Sequence, residues 1–485
     1  MRSGPRTGAE ARRGSGFFDM IGGVIERGRF MIDLGRAGQR DAVEGVAELC
    51  ERLVGAIGEA SGTAVAAEVL DRYAALDASE RARLLETLGN GFGPDLEALG
   101  VAIRGHEQAP SPETLSALHF ASEPRRQALL RRLNLAPGGT AELVAMREDV
   151  LALLPGTPGL RALDADFRHL FSSWFNRGFL EMRRIDWRTP AVVLERIIRY
   201  EAVHAIQDWD DLRRRIDPPD RRLYAFFHPA LPDEPLIFVE VALTVDLPDA
   251  IGPVLATERE PLDPARARVA AFYSISNCQV GLRGISFGSF LIKQVATDLS
   301  AELPGLNTFV TLSPMPGFAA WARGEGIALL DPTLVPLIEG LPDEPTIEDV
   351  EKARAAIEPL AQTYLTYAKN RRGRPIDPVA RFHLGNGARL DRLNWMGNPS
   401  SGGIAASFGV MVNYLYDLDA IERNHEAYAN QATIAVAPAL RRGPRGLRHR
   451  ATQPKRKARG TATVSDRADT DAGTDEPDEH KSKTA

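Results

Sequence analysis

Apolar residues recur three and four positions apart through the first part of the chain, which is the spacing of amphipathic helices. Glycine and proline interrupt this pattern at several points. The predicted helices are 42–57, 63–76, 79–88, 112–133 and 141–154. Aromatic residues then cluster between Phe167 and Trp187. We therefore expect a helical bundle over residues 17–173, joined to a second domain through this aromatic cluster.

From about residue 188 the pattern becomes a mixture of helices and short apolar strands. The predicted strands are 222–227, 236–243, 269–275, 307–312, 389–395 and 409–416. The predicted helices are 190–205, 317–328, 331–340, 346–369 and one that follows Gly288. Such an order predicts the α+β class, with a twisted mixed sheet in a second domain over residues 174–438.

One unit of this second domain has a possible binding function. Its strand 269–275 is followed by a glycine-containing turn and then by an amphipathic helix. A helix entered through such a turn presents free N–H groups and the positive end of its dipole, which together attract anions. Most glycine turns of this kind bind nothing, so the motif alone leaves the question open. Ser313 follows the next strand, near the edge where open α/β sheets bind ligands.

Composition narrows the class of protein. With 44% apolar and 26% charged residues among 485, the chain is typical of a globular protein. Only two cysteines are present, which argues against a disulfide scaffold and fits a reducing compartment. No apolar run approaches the ~20 residues of a membrane span, and the net charge of −6 does not suggest a nucleic-acid partner.

Both ends of the chain have too little apolar content to form a core. We expect a disordered lead over residues 1–16, although its arginines leave a mitochondrial presequence as the alternative. Residues 441–459 are basic and 465–479 are acidic, so we expect a disordered charged tail over residues 439–485. The simplest location is the cytoplasm, and the mitochondrial matrix is the alternative.

Common catalytic motifs are missing from the sequence. The nine histidines form no H-E-x-x-H or similar ligand set, so we expect no metal site. The G-x-S-x-G and P-loop motifs, typical of hydrolases and kinases, do not occur either. Taken alone, His383 and Tyr416 are most simply packing residues, and His228 is expected to order a loop between strands.

Several blocks of sequence, in order along the chain, resemble the malonyl-CoA decarboxylase family. They are HPALPDEPLIFVEVALT (228–244), FYSISNCQVGLRGISFGSFLIKQV (272–295), TLSPMPGF (311–318), ARFHLGNGA (380–388) and NWMGNPSSGGIAASFGVMVNYLY (394–416). The resemblance implies an N-terminal helical domain that associates subunits into a homo-oligomer, either a dimer or a tetramer. It also implies a catalytic domain with the fold of the GNAT acetyltransferases.

The same resemblance implies a reaction and its residues. Malonyl-CoA would be converted to acetyl-CoA and CO2 without a cofactor, since the thioester accepts the negative charge as an enolate. Ser313 and His383 lie on the family's catalytic serine and histidine. Ser313 would contact the malonyl carboxylate and exchange a proton with His383, and His383 would protonate the enolate. Tyr416 is a possible supporting residue.

Residues 283–288 read R-G-I-S-F-G, which is similar to the Q/R-x-x-G-x-G/A pyrophosphate loop of the acetyltransferases. Many family members have an acidic residue where this chain has Ser286, so a catalytic role of that carboxylate does not carry over. The residues implied in binding malonyl-CoA, besides Ser313 and His383, are Arg283, Gly284, Ile285, Ser286, Phe287, Gly288 and Ser289.

Two other functions are compatible with this loop. A CoA-dependent N-acyltransferase would use the same fold and the same phosphate loop. A non-catalytic acyl-CoA sensor would use the helical domain and the charged tail for interaction. The pairing of Ser313 with His383 favours the decarboxylase over the sensor, because a sensor needs neither residue.

Overall fold

The computed structural model describes residues 41–55, 58–285 and 291–443. The first part of the described chain is helical, as predicted. Its helices are α1 (Ala42–Val54), α2 (Glu59–Ala75), α3 (Ala78–Gly91), α4 (Leu96–Gln108), α5 (Pro112–Ala121), α6 (Arg125–Leu133), α7 (Gly139–Leu153) and α8 (Leu160–Trp174).

The helix boundaries in this part differ from the prediction in two places. Residues 112–133 form two helices rather than one, because Pro124 lacks an N–H and disfavours helical geometry at the residue before it. Helix α4 was not predicted. Its start is fixed by Asp95, whose carboxylate accepts hydrogen bonds from the backbone N–H groups of Glu97 (3.0 Å) and Ala98 (3.1 Å).

A seven-stranded sheet forms the centre of the second part, with strand order β1-β2-β3-β4-β5-β7-β6. Strands β4 and β5 run parallel, and the other neighbouring pairs are antiparallel. The strands are β1 (Glu181–Ile185), β2 (Arg221–Phe227), β3 (Ile237–Thr244), β4 (Val269–Asn277), β5 (Thr308–Thr311), β6 (Arg389–Asn394) and β7 (Met411–Leu415). The predicted α+β class, with a helical part ahead of a mixed sheet, is confirmed.

Strand β1 was not predicted because its sequence, EMRRI, is largely polar. It lies at the edge of the sheet and pairs only with β2, so most of its side chains remain exposed. The central strands β2 and β3 are buried along nearly their whole length, which explains why their apolar runs were visible in the sequence.

The remaining helices surround the sheet. They are α9 (Ala191–Tyr200), α10 (Trp209–Ile216), α11 (Gly252–Leu255), α12 (Leu291–Glu302), α13 (Phe318–Arg323), α14 (Val335–Glu339), α15 (Ile347–Lys352), α16 (Arg354–Thr366), α17 (Pro378–Gly385), α18 (Ser401–Ser407), α19 (Ile421–Gln431) and α20 (Pro438–Arg441). Helix α12 connects the parallel strands β4 and β5.

Several of these helices are shorter than predicted. Helix α9 ends at Tyr200, because the Glu201 carboxylate accepts hydrogen bonds from the N–H groups two and three residues later and turns the chain. Residues 346–369 form α15 and α16, which meet at Ala353, where the backbone (φ −91°, ψ 1°) departs from helical geometry. Gly324 (ψ −104°) ends α13 after Arg323.

Residues 331–340 are also less helical than predicted. The Asp331 carboxylate accepts a hydrogen bond from the N–H of Thr333 (3.0 Å) and forms a turn, so that α14 starts only at Val335.

The largest apolar cluster is continuous from the helical part into the sheet. Phe167, Phe171 and Phe175 of the predicted aromatic cluster are buried in it, and edge-to-face contacts join Phe171 to both of the others. The side chain of His228 packs against Phe175 and lies 3.1 Å, through Nε2, from the carbonyl oxygen of Trp174. Phe167, Phe171 and Phe175 therefore lie where the helical part meets the sheet, as predicted, whereas Phe179 and Trp187 of the same predicted cluster are exposed.

The two predicted disordered ends fall largely outside the described residues. Within the described part, α20 crosses position 439, where the tail was predicted to begin. The side-chain amide of Gln362 donates hydrogen bonds to the carbonyl oxygens of Leu440 (2.7 Å) and Arg442 (2.8 Å). The chain is thus attached to α16 as far as Arg442. No helix among the described residues combines the length and the apolar character needed to cross a bilayer.

Candidate active site

Ser313 lies two residues beyond the end of β5, where the chain passes alongside β7. Its backbone N–H donates to the carbonyl oxygen of Val412 (2.8 Å), and the N–H of Val412 donates to the carbonyl oxygen of Ser313 (2.9 Å). This bridge fixes the backbone, and Pro314 limits the freedom of the chain that follows. The Ser313 side chain is buried, with its hydroxyl 2.9 Å from that of Thr311.

His383 lies in the last turn of α17 and lines the same cavity as Ser313. The helix starts at Pro378 after Asp377, whose carboxylate accepts a hydrogen bond from the N–H of Ala380 (2.7 Å). Asp377 is fully buried and also accepts a hydrogen bond from the Tyr364 hydroxyl (3.2 Å). This cap fixes the start of a short helix and thereby the position of the His383 ring.

The fold brings the two predicted catalytic residues together, although they are 70 positions apart. The Nε2 atom of His383 lies 3.1 Å from Oγ of Ser313, and its Nδ1 atom lies 2.9 Å from the hydroxyl of Tyr416. The ring of Tyr414 stacks on the imidazole at a centroid distance of 4.7 Å. Tyr416, predicted as a possible support, therefore contacts the histidine directly.

The hydrogen-bond partners indicate where the protons lie. The Ser313 hydroxyl donates to Oγ1 of Thr311, which also accepts from the backbone N–H of Tyr414 (3.1 Å). A lone pair of Ser313 Oγ is then left for His383, so we assign the imidazole proton to Nε2. The Nδ1 atom in turn accepts from the Tyr416 hydroxyl. In this arrangement an N–H group of the histidine points at the serine.

Burial controls the charge of this network. Complete burial lowers the pKa of His383 to about 3 and raises the pKa of the Tyr416 phenol far above its ordinary value. Both groups are therefore neutral at neutral pH in the free protein. A neutral imidazole with Nε2–H is a hydrogen-bond donor, and an anion placed beside it would raise its pKa.

Two neighbouring cavities lie at this pair. The smaller cavity, of about 230 Å³, is lined by Ser313 and His383 together with apolar residues that include Val203, Ile275 and Val379. The larger cavity, of about 500 Å³, is lined by residues 282–285 and by Arg381. Asn277 and Phe382 line both cavities. The larger cavity, with Arg283 and Arg381 in its wall, therefore lies next to the cavity that contains the buried serine and histidine.

Part of the predicted phosphate loop is described. Arg283 is exposed, Gly284 has a left-handed backbone (φ +78°) that favours glycine, and Ile285 is buried. All three line the larger cavity. The other predicted loop residues, Ser286, Phe287, Gly288 and Ser289, lie outside the described residues.

His228, predicted to order a loop between strands, lies in the loop between β2 and β3. His228 orders a loop as expected, since its Nδ1 atom accepts a hydrogen bond from the N–H of Ala230 (3.2 Å). Among the described residues, no group of three or more histidine, cysteine, aspartate or glutamate side chains could hold a metal ion.

Sequence reasoning missed Thr311 and Asp377. The Asp-Pro pair at 377–378 is a helix-start signal that could have located α17.

Comparisons with known proteins identify the family of this chain. The family model of the malonyl-CoA decarboxylase C-terminal domain matches residues 178–457, and that of the N-terminal domain matches residues 92–175. The mitochondrial malonyl-CoA decarboxylase of Anser anser anser is 35% identical, over 76% of this chain and 81% of the goose protein.

Solved structures give the same result. The crystal structure of malonyl-CoA decarboxylase from Rhodopseudomonas palustris is 54% identical, with a TM-score of 0.80, over 83% of this chain and all of that chain. The corresponding structure from Agrobacterium vitis is 51% identical, with a TM-score of 0.76, over 82% of this chain and 98% of that chain. The chain belongs to the malonyl-CoA decarboxylase family and is a decarboxylase, a carboxy-lyase.

Proposed function

We propose that this enzyme converts malonyl-CoA to acetyl-CoA and CO2, with Ser313 and His383 as the catalytic residues. The observation that carries the proposal is the 3.1 Å contact between Ser313 Oγ and His383 Nε2, in a cavity next to a larger one lined by Arg283 and Arg381. The names of the relatives support the choice of substrate.

The two cavities suggest how the substrate lies. The larger cavity has room for part of the CoA moiety, and Arg283 and Arg381 supply positive charge near its phosphates. The thioester then passes between Asn277 and Phe382 into the smaller cavity. There the malonyl carboxylate contacts the Ser313 hydroxyl, and the α-carbon lies close to Nε2 of His383.

The surroundings of the acyl group favour the loss of CO2. A malonyl carboxylate carries a localised charge, whereas the products of bond cleavage are neutral CO2 and an enolate whose charge is spread onto the thioester oxygen. Apolar residues such as Val203, Ile275 and Val379 solvate a localised charge poorly. In the free protein the Nε2–H of His383 donates to Ser313 Oγ and the hydroxyl of Ser313 donates to Thr311 Oγ1, and both donors can turn to the developing enolate when the substrate displaces these contacts.

The reaction consumes one proton, which must reach the α-carbon. The ring of His383 is neutral in the free enzyme, but a malonyl anion in contact with it raises its pKa. The ring thus takes up the proton together with the substrate and later gives it to the enolate. Ser313 joins the carboxylate to the ring and exchanges a proton with it. Tyr416 holds the ring through Nδ1.

The testing experiment is incubation with malonyl-CoA, without an amine acceptor, in heavy water. We expect CO2 and acetyl-CoA that carries one deuterium at its methyl group. An N-acyltransferase would release neither product without an amine, and a CoA sensor would bind the ligand without turnover. The absence of CO2 from a protein that binds malonyl-CoA would therefore contradict the proposed function.

We also propose that the helical domain, residues 17–173, associates copies of this chain, while residues 174–438 form the catalytic domain. Helices α4 and α5 pack against each other but bury none of their own residues fully. Leu96, Leu115 and Phe120 are 77%, 56% and 71% exposed, respectively. An exposed apolar surface of this kind is typical of an interface, and a second copy would cover it.

We propose that the enzyme is located in the cytoplasm. The mitochondrial matrix is the alternative, because the name of the goose relative describes that protein as mitochondrial. Cys50 and Cys278 are both free and buried, as expected for a protein in a reducing compartment.

A further inference from the structure

We propose that Arg147, in the helical part of the chain, is a positioning residue for the coenzyme A site. It fixes the backbone of residues 281–283, which leads directly into the wall of the larger cavity. The inference rests on the proposed function in one respect, namely that the larger cavity holds coenzyme A.

Arg147 is an arginine on α7 that is almost completely buried, with 1% of its side chain exposed. Its Nη1 atom donates to the carbonyl oxygen of Gly281 (2.6 Å), and its Nη2 atom donates to that of Arg283 (3.1 Å). Its Nε atom donates to the carboxylate of Asp164 (2.9 Å). A planar guanidinium can join two carbonyl groups and a carboxylate in this way, whereas a lysine ammonium cannot reproduce the geometry.

The contact between α7 and this loop is also sterically close. A Cβ atom added to Gly281 would lie 2.0 Å from the carbonyl oxygen of Val144, so only glycine fits there. The N–H of Gly281 donates to the Glu148 carboxylate (3.3 Å). Two side chains of α7 thus bind the backbone of Gly281: Glu148 accepts from its N–H, and Arg147 donates to its carbonyl oxygen. The loop is held from both sides.

The residues that follow depend on this attachment. Gly284 adopts a left-handed backbone, Ile285 is buried, and both line the larger cavity with Arg283. Without Arg147 the carbonyl groups of Gly281 and Arg283 lose its donors, and the loop samples more conformations. Binding of coenzyme A would then have to order the loop, which weakens affinity. Within the described part of the chain, the hydrogen-bond partners of Ser313 and His383 include neither Arg147 nor residues 281–285, so the chemical step is spared.

A purely structural role for Arg147 would have a different outcome. The residue joins the helical part to the sheet, and its loss would then lower stability without changing affinity. Arg126 provides the matched control. It is buried, pairs with Asp166 (2.6 Å) and donates to the carbonyl oxygen of Gly89 (2.9 Å), all within the helical part and away from residues 281–285.

The experiment compares Arg147→Met and Arg126→Met with the wild type by calorimetric titration with coenzyme A, malonyl-CoA kinetics and thermal unfolding. We expect Arg147→Met to raise the Kd for coenzyme A and the KM for malonyl-CoA by about tenfold, since about 1.4 kcal/mol of ordering corresponds to that factor. Its kcat should stay within about threefold of the wild type. Arg126→Met should lower the unfolding temperature and leave the Kd unchanged.

Arg147→Lys decides the outcome if Arg147→Met fails to fold, because it keeps the charge opposite Asp164 but cannot join both carbonyl groups. Faster amide hydrogen exchange at residues 281–285 should accompany its weaker binding of coenzyme A. A wild-type Kd in a folded Arg147 variant, or an equal loss of affinity in Arg126→Met, would overturn the inference. A wild-type protein that neither binds coenzyme A nor releases CO2 would instead contradict the proposed function.

Discussion

At the scale of single residues, the environment of His383, the proposed catalytic histidine, is set by the groups around its ring. Ser313 contacts Nε2, Tyr416 contacts Nδ1, and Tyr414 covers one face of the ring. The ring is thereby fixed in orientation and held neutral by burial. Because all three neighbours are uncharged, the charge of the substrate itself is the largest factor that can change the pKa of His383 in the complex.

The contact between Ser313 and His383 predicts strongly non-additive mutational effects. Ser313→Ala and His383→Ala should each lower kcat by about 10² or more, because each removes part of one proton-transfer unit. The double variant should be little slower than the slower single variant. Steady-state kinetics with malonyl-CoA give kcat for the wild type, both single variants and the double variant. Titration with coenzyme A checks that the affinity of each variant stays within a few fold of the wild type. Losses that multiply would show that the two residues act independently.

The buried neutral state of His383 predicts a specific dependence of stability on pH. In the unfolded chain a histidine titrates near 6.5, whereas burial lowers the folded pKa to about 3. Between these values the unfolded chain binds the extra proton, so the free energy of unfolding falls as the pH falls, by up to about 1.4 kcal/mol per pH unit.

His383→Gln should remove this contribution and make the unfolding free energy depend less on pH between about 6.5 and 4. Urea unfolding at several pH values measures the slope. His169→Gln, at an exposed position on α8, is the matched control. If the free energy of unfolding depended on pH in the same way for the wild type and His383→Gln, His383 would be protonated in the folded protein over this pH range.

Single residues differed in how well the sequence alone identified them. Ser313 and His383 were located by family resemblance, and Tyr416 was named with them. Thr311 and Arg147 were not identified from the sequence, because the contacts that give them a role are with residues distant in the chain. The hydroxyl of Thr311 meets the N–H of Tyr414 from another strand, and Arg147 meets carbonyl groups more than 130 positions away. Local patterns contain no information on such pairs.

At the scale of elements, burial decided which predictions succeeded. Central strands such as β3 were visible as apolar runs, whereas the exposed edge strand β1 was not. The helical spacing of apolar residues continues across Pro124 and Ala353, so the sequence predicted a single helix at each place. In the structure the backbone at these two positions divides each stretch into two helices. Helix α17 escaped prediction because it is only eight residues long, although it holds His383.

The contact between α7 and the loop after β4 predicts an effect of Gly281→Ala. The added methyl group would overlap the carbonyl oxygen of Val144, so the two elements must separate. We expect a loss of about 1–3 kcal/mol in the free energy of unfolding, measured by urea unfolding. Gly105→Ala is the control, because it lies in α4 with open space around the new Cβ. Equal stability of the two variants would show that α7 does not press against Gly281.

At the scale of the whole molecule, the helical part and the sheet share one continuous apolar cluster. The helical part therefore contributes both to the core and, through α7, to the wall of the proposed coenzyme A cavity. Removal of residues 17–173 would take away Phe167 and Phe171 and leave the buried Phe175 without its edge-to-face partner Phe171. The sequence predicted two domains from the change in pattern, but shared packing between them depends on contacts that no local pattern reports.

The charged C-terminal segment should be dispensable for folding and catalysis. Residues up to Arg442 are attached to α16 through Gln362, so the appropriate truncation is after Gly443. The removed residues 444–485 have too few apolar side chains to build a core. We expect unchanged thermal unfolding and turnover for this truncation. A large loss of either property would mean that the segment forms an ordered part of the enzyme.

The exposed apolar surface of α4 and α5 predicts how the molecule assembles. If a second copy covers this surface, Phe120→Glu combined with Leu115→Glu should reduce the mass of the particle measured by light scattering, because a charge is costly to bury without a partner. The unfolding temperature of the separated chain should change little, since both side chains are exposed within one copy. Val245→Glu, at an exposed position beyond β3, serves as the control for added charge. An unchanged mass in the double variant would place the interface elsewhere, whereas a smaller particle with the wild-type kcat would show that each copy contains a complete active site.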